Sequence, residues 1–251
     1  MINLETTLKS IALKYPPDLV PEQLADVQRI AFNINLVLSR KGTNITICDL
    51  GGGIGLFSLG CAAIGMNSIL VDDFKDEVNF KFGKEVLDLH RSYGVKVIER
   101  DVIEHNIEFL PASLDAVTSF DSMEHWHHSP KQLFASAIAA LANSGIFVLG
   151  VPNCVNLRKR ITVPFGFGKW SSMKDWYETE NFRGHIREPD VDDLHYIAKD
   201  LGLENIKIYG RNWMGYISQN KMIQASTMLF DRLLQLYPPF CSTIYMVGQK
   251  Q

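Results

Sequence analysis

The sequence predicts an α/β protein in which a mostly parallel sheet is covered by helices on both faces. Three observations carry that expectation. Apolar runs of strand length alternate with segments of helical period through the first 150 residues. The runs are apolar throughout instead of alternating with polar residues, as strands covered on both faces are. The first run ends in a glycine cluster, Asp49-Leu50-Gly51-Gly52-Gly53-Ile54-Gly55, and an apolar helical segment follows it.

Taken in chain order, residues 21–40 place Leu24, Val27, Ile30, Ala31, Ile34, Val37 and Leu38 at helical spacing, and Lys41-Gly42 closes that helix. ITICDL, 45–50, is the first strand. The helix after the glycine cluster runs to about Ile64 and stops at Gly65. Ser68–Val71 is the second strand and ends in Asp72-Asp73. Residues 75–92 are polar and helical. Val95–Ile98 and Leu114–Phe120 are the third and fourth strands. Residues 130–142 form a helix stopped by Asn143-Ser144-Gly145, and Ile146–Val151 is a fifth strand ended by Pro152. The rhythm then breaks over 154–187, which is rich in aromatic and basic residues and has no clear period. Helix 190–201, strand Ile206–Tyr209, a helix at about 221–236, Pro238-Pro239 and the alternating segment STIYMVG complete the chain. No repeat or linker interrupts it, so a single domain over 1–251 is expected, with 1–44 as an N-terminal helical cap.

Composition narrows the function classes. The 251 residues hold 25 Lys+Arg against 28 Asp+Glu, a net charge of -3, which argues against a protein that grips a nucleic-acid backbone. Cysteines at 48, 61, 154 and 241 include no CxxC pair, so neither a zinc ribbon nor a thioredoxin-type site is expected, and reduced core thiols are. The uncharged stretches Leu50–Val71 and Gln132–Leu157 are long enough to span a bilayer, but glycines break the first, and Asn-Ser-Gly and Pro-Asn the second. Each reads as a buried helix joined to a buried strand. The N-terminus lacks a secretory pattern, and a cytoplasmic protein without a transmembrane segment is expected.

Glycines at the carboxyl end of a first strand let the backbone pass close to a ligand, and the next helix offers it N–H groups. Three acids at matching strand ends suit one particular ligand. Asp72, after strand two, can accept both hydroxyls of a ribose. Asp101, after strand three, can accept from an exocyclic adenine amine, with Val102 packing on the ring. Asp49 can face a cationic amino group. Together they describe a nucleoside carrying an amino-acid tail.

The constellation resembles the class I S-adenosylmethionine-dependent methyltransferases. Their acid-x-Gly-x-Gly-x-Gly motif is matched by Asp49, Gly51, Gly53 and Gly55, and their second- and third-strand acids by Asp72 and Asp101. LDAVTSFDSMEHW at 114–126, GVPN at 150–153 and GHIREPDVDDLHYIAKDLGL at 184–203 are also similar. In flavour the nearest types are the small-molecule enzymes of ubiquinone biosynthesis and polysaccharide clusters. The resemblance implies a Rossmann-like three-layer sandwich with seven strands, the last antiparallel. It implies S-adenosylmethionine as cofactor, S-adenosylhomocysteine as product, and Asp73 and Phe120 as further cofactor contacts. Transfer to an oxygen or nitrogen of a small molecule is the expected activity. A nicotinamide oxidoreductase is the rival enzyme reading; its GxGxxG would need Gly where Leu56 stands. A nucleoside-binding module without catalysis is the rival of another class.

A hydroxyl acceptor needs a base, and the segment after strand four offers Asp121, Glu124, His125, His127 and His128. If a helical turn begins at Asp121, then Asp121, Glu124 and His125 share one face. His125 with Asp121 is the catalytic assignment. A structural role for His125 stays open, and so does a metal role: Asp121, Glu124, His125 and the distant His185 are similar to the divalent-metal set of some RNA 2′-O- and ubiquinone-pathway methyltransferases. No metal ligand is assigned from the sequence. The 154–187 insertion, with Phe165, Phe167, Trp170, Trp176, Tyr177 and Phe182, is expected to form an acceptor lid. Its basic triplet Arg158-Lys159-Arg160 would meet an acidic or phosphorylated acceptor. A peripheral membrane contact is disfavoured, because the flanking residues show no amphipathic helix. Helix 21–40 would close the cofactor side or form a homodimer surface.

Overall fold

A computed structural model describes residues 3–168, 171–180, 182–216, 218 and 220–251. Lys169 and Trp170 of the predicted lid lie outside the described residues. The chain divides into two compact units, Met1–Phe120 with Pro130–Val148 and Gln249–Gln251, and Asp121–Ser129 with Leu149–Gly248.

The first unit opens with α1 (Leu4–Ala12), which the sequence reading left unassigned, and α2 (Val20–Lys41). Asn3 caps α1 by accepting from the Thr6 N–H. The strand–helix alternation then follows as expected, with one unexpected turn, α5: β1 (Thr46–Leu50), α3 (Leu56–Ala63), β2 (Asn67–Asp72), α4 (Glu77–Ser92), β3 (Lys96–Glu99), α5 (Val102–His105), β4 (Leu114–Phe120) and α6 (Lys131–Ala140). β1 pairs in parallel with β2 and with β4, and β2 with β3. The strand order is β3-β2-β1-β4. The chain leaves β1 toward one edge and returns to its other side with β4, which opens a crevice beyond the carboxyl ends of these strands.

The core of this unit explains the N-terminal cap. Leu8 of α1 and Ile34 of α2 are fully buried. They close on α3 at Gly60, where a Cβ would lie 2.6 Å from both the Ile34 Cδ1 and the Leu8 Cδ2. The apolar stripe of α2 is thereby used inside the unit.

β5 (Leu141–Pro152) departs from expectation. Asn143-Ser144-Gly145 was expected to separate helix from strand, but the strand starts at Leu141 and runs through these residues. The cause is pairing: the Ser144 N–H donates to the Lys250 carbonyl and the Lys250 N–H to the Gly145 carbonyl. Ser144 takes φ +61° within the strand.

The second unit continues β5 and adds α7 (Leu157–Thr162), a 3₁₀ turn at Val163–Phe165, α8 (Met173–Glu178), α9 (Val191–Asp200), β6 (Glu204–Arg211), α10 (Trp213–Tyr216), α11 (Lys221–Leu234) and β7 (Thr243–Gln249). The insertion read as periodless therefore holds two short helices; six residues are too few to show a period. α9 starts on a capping box between Asp190 and Asp193. β5, β7 and β6 are neighbours in that order, and β7 is antiparallel to both, which completes the seven-stranded Rossmann-like sheet. The four cysteines form no disulfide. Among the described residues no helix is long and apolar enough to cross a membrane.

The α1–α3 contact depends on Gly60 having no side chain. Gly60→Leu should lower the stability of the chain by about 1–3 kcal/mol, the usual cost of overpacking a filled core. Urea denaturation measures this, and an unchanged midpoint would show that α1 does not seat on α3.

Candidate functional site

The glycine turn joins β1 to α3, and two carboxylates shape it, half-buried Asp72 and buried Asp49. The Asp72 Oδ2 accepts from the Gly53 N–H at 2.9 Å and its Oδ1 from the Phe74 N–H at 2.8 Å. Asp72 thus pins the turn, a task that no local motif announces. A carboxylate offers about four acceptor positions, so this bonding leaves capacity for a ligand. Gly51 and Gly53 take φ +70° and +54°, which a side chain would strain. A Cβ on Gly53 would meet no protein atom within 4 Å, so the space over that turn is open. Gly55 stands as the N-cap of α3.

Asp49 lies beneath the turn and is 3% exposed. Its register partner on β4 is Thr118, whose hydroxyl donates to the Asp49 Oδ1 at 2.6 Å. A Cβ on Gly52 would collide with the Asp49 Oδ2, so the residue between the two strained glycines must also lack a side chain. Burial pushes the Asp49 carboxyl up to about 7, against the Thr118 hydrogen bond and with the charge of Asp72 adding to the shift. Burial likewise pushes Asp72 up to about 6, opposed by the Phe74 and Gly53 N–H groups. The crevice therefore presents carboxyls that hold protons more tightly than surface acids do.

Asp101 caps α5 by accepting from the Ile103 and Glu104 N–H groups, both at 3.0 Å. Beside it a cavity of about 730 Å³ is lined by Asp73, Ile98, Arg100 and Asp101, among others. Val102, first residue of α5, is buried. Phe120 ends β4 and meets the Phe57 ring edge-on at 4.9 Å. Two residues outside the sequence-derived set act on the turn. The Tyr15 hydroxyl donates to the Ile54 carbonyl at 2.9 Å, and His90 Nε2 lies 3.2 Å from the Gly55 carbonyl. Burial raises the Tyr15 hydroxyl above its ordinary value. No local motif marks either residue, because each reaches the turn from a distant helix or loop.

In the second unit the segment after β4 is not the helical turn expected from Asp121. Asp121 takes φ +48°, and a 3₁₀ turn starts only at Met123. The Asp121 N–H donates to the Gly150 carbonyl, which fixes that departure. The Glu124 carbonyl accepts from the Ile186 N–H at 2.6 Å and so draws the 184–188 strip alongside. The result is a cluster of Glu124, His125 and His185, with one ligand-type atom from each lying within 4.8 Å of the others.

Both imidazoles are oriented by their Nδ1 atoms. The His125 Nδ1 lies 2.6 Å from the Arg183 carbonyl and the His185 Nδ1 lies 2.7 Å from the Glu188 carboxylate. Each acceptor calls for an Nδ1–H, which leaves the two Nε2 lone pairs available. The His185 Nε2 stands 4.0 Å from the Glu124 Oε1. Glu124 is 1% exposed, and its Oε2 is buried without a hydrogen-bond partner. Burial, with the charge of Asp121, pushes the Glu124 carboxyl up to about 8. Burial pushes His125 down, whereas the hydrogen bond to Glu188 pushes His185 up. Burial alone would raise Glu188, but bonds from His185 and Lys159 pull it to about 2. Glu188 escaped the sequence reading, although its place three residues after His185 is a usable signal. His127 hydrogen-bonds the Phe182 carbonyl through Nε2. Phe165, Phe167, Trp176 and Tyr177 of the expected lid are exposed.

A sequence profile of the methyltransferase domain matches residues 23–208, a span that crosses both units. A SAM-dependent methyltransferase from Archaeoglobus fulgidus is similar in structure, at 19% identity and TM-score 0.57, covering 89% of this chain and 93% of that one. A Haemonchus contortus phosphoethanolamine N-methyltransferase 2, in complex with phosphomonomethylethanolamine and S-adenosylhomocysteine, is similar at 19% identity and TM-score 0.56. That likeness covers 87% of this chain and 52% of that one. A possible histamine N-methyltransferase from Thermotoga maritima is similar at 13% identity and TM-score 0.55, covering 99% and 100%. No curated protein matches the chain at a significant level. With a family profile spanning most of the residues and a sheet that switches direction beside a glycine turn, this chain belongs to the methyltransferase-domain family and is a class I S-adenosylmethionine-dependent methyltransferase.

Proposed function

We infer that the chain methylates an oxygen or nitrogen of a small molecule in the cytoplasm. The observation that carries the acceptor reading is the orientation of His125, whose Nδ1 is committed to the Arg183 carbonyl and whose Nε2 is left to take a proton. The structurally similar Haemonchus enzyme is named for phosphoethanolamine, a phosphorylated small molecule, which supports an acceptor of that class. The unpaired thiols support a reducing compartment.

The residues fit the cofactor, since open space lies where Gly53 would carry a Cβ. Gly51, Gly53 and Gly55 would hold it along the turn. Asp72 and Asp73 would meet the ribose, Asp101 and Val102 the adenine, Phe120 the flank, and Asp49 the amino-acid end through the turn above it. Bound S-adenosylmethionine supplies an electrophilic methyl group. His125, kept neutral by burial, accepts the acceptor's proton at Nε2, and the charge of Asp121 favours the imidazolium that forms.

A second reading is favoured by the unpartnered Glu124 Oε2. A buried carboxylate oxygen without a donor beside two imidazole lone pairs fits a divalent cation, and the bonds to Arg183 and Glu188 are the outer contacts such ligands use. A cation held by Glu124, His125 and His185 would supply Lewis-acid polarisation of an acceptor hydroxyl.

Calorimetry with S-adenosylhomocysteine tests the cofactor assignment. Asp72→Ala should weaken binding by about 1.5–3 kcal/mol, and Gly53→Val should abolish it with the circular dichroism spectrum retained. Because Asp72 must be ionised to accept both hydroxyls, affinity should fall about tenfold per pH unit below about 6. An affinity that ignores pH between 5 and 8, or tight NAD binding in its place, would sink this assignment.

Turnover of an acceptor separates the two chemical readings. His125→Ala should lower turnover by about 10²–10⁴ as a base, with cofactor affinity unchanged. In the metal reading a chelator removes activity and Mg²⁺ or Mn²⁺ restores it. Intact turnover in His125→Ala refutes both.

Glu124 also makes a prediction about stability. Its carboxyl takes up a proton more readily in the folded than in the unfolded chain, so the folded state binds more protons between its ordinary value and about 8. Stability should fall as pH rises through that window. Glu124→Gln should make that fall shallower, most clearly between pH 7 and 8 where Asp49 and Asp72 contribute least, as read from melting temperatures across pH 5–9 without metal. Parallel curves for the two proteins would show that Glu124 is not buried as described.

A further inference from the structure

α11 is packed the wrong way round for a helix that faces water. Its inner side is polar: Asp231, 2% exposed, accepts from the side chains of Asn212 and Tyr216 at 2.7 Å and of Gln235 at 2.6 Å. Gln224 donates to the Tyr216 carbonyl from the same side. Its outer side is apolar. Met222, Leu229 and Leu233 recur at intervals of seven and four, which is one stripe of a helix, and Leu236 extends it. Leu229 is 72% exposed and Leu236 80%. The usual arrangement puts the apolar stripe against the protein and charge outside.

The insertion meets the chain just beyond α11. The Arg160 guanidinium lies 5.5 Å from the centre of the Phe240 ring, and that ring meets Tyr237, just beyond α11, at 4.7 Å. Arg160 belongs to α7; the 3₁₀ turn that follows it ends in Phe165, and Phe167 comes two residues later, at 74% and 70% exposure. Exposed apolar side chains in such number mark an interaction site.

Charge selects the occupant. No Asp or Glu occurs between Glu124 and Asp175, and Asp231, sealed inside, is the single acid after Glu204. The charges α7 and α11 carry outward are therefore basic: Arg158, Arg160, Lys221 and Arg232. A second copy placed on this face by a two-fold axis would set these cations against themselves. An anionic bilayer surface offers an apolar phase for the Phe and Leu side chains and phosphates for the cations at their rim. We propose that α11, together with α7 and the 3₁₀ turn behind it, docks this enzyme on the surface of a membrane rich in anionic lipid. The absence of a flanking amphipathic helix, which told against membrane contact in the sequence, is reversed by α11: its stripe is easily read as a core face, and only the structure shows which way it points.

Flotation with vesicles of phosphatidylcholine alone, and of phosphatidylcholine mixed with phosphatidylglycerol, tests the proposal. The full chain should bind the mixed vesicles, bind neutral ones at least tenfold less, and lose affinity as salt rises. Arg158→Glu with Arg160→Glu should cost about tenfold or more. Leu229→Ser with Leu233→Ser, and separately Phe165→Ser with Phe167→Ser, should each do the same. S-adenosylhomocysteine binding, which rests on the first unit, serves as the folding control for all three variants. Three results overturn the proposal: no binding to mixed vesicles by the wild-type chain, equal binding by folded variants, or a dimer in sedimentation that Leu229→Ser with Leu233→Ser converts to monomer.

Discussion

The cofactor crevice depends on one carboxylate holding one amide. The bond from the Gly53 N–H to Asp72 joins the end of β2 to the middle of the turn after β1. It holds the turn in left-handed backbone conformations that favour glycine, and it does so at low solvent exposure, where a hydrogen bond to charge is strong. Asp49 supports the same turn from below through Thr118. Burial raises the affinity of both acids for protons, the charge of Asp72 adds to this at Asp49, and Asp73 and Asp76 add to it at Asp72.

Much of this was legible in the residues. The strand–helix alternation gave β1 to β4 within a residue or two, since buried parallel strands leave uninterrupted apolar runs. The glycines and the acids at 49, 72 and 101 were legible because their spacing follows strand length. What failed to show were effects that reach across the chain. Tyr15 holds the turn from some forty residues away. Ser144 sits in a strand against its own preference because Lys250 pairs there. Asp121 leaves the helical region because of the Gly150 carbonyl. Each is a tertiary contact overruling a local tendency.

The Glu124 cluster shows the same limit from the other side. Its residue types were visible, and so was the candidate His185, but the ring orientations were not. Those come from Arg183 and Glu188, acceptors on the strip that Glu124 itself draws in through its carbonyl. The carboxylate that would serve chemistry is thus attached to the backbone group that positions its partners. A change at 124 that disturbs the main chain would be felt by both histidines at once.

The pairing of Lys250 with Gly145 has a consequence for how the chain is made. Gln249–Gln251 belong to the first unit, yet every residue of the second unit precedes them. On the ribosome the first unit stays incomplete until the second has been synthesised. A nascent chain halted before Gln249 lacks the partner that carries β5 through Asn143-Ser144-Gly145, and the Lys250 Nζ that meets the Leu141 carbonyl at 2.6 Å is missing as well. The pairing that carries β5 through these residues therefore forms only after every residue of the second unit has been made.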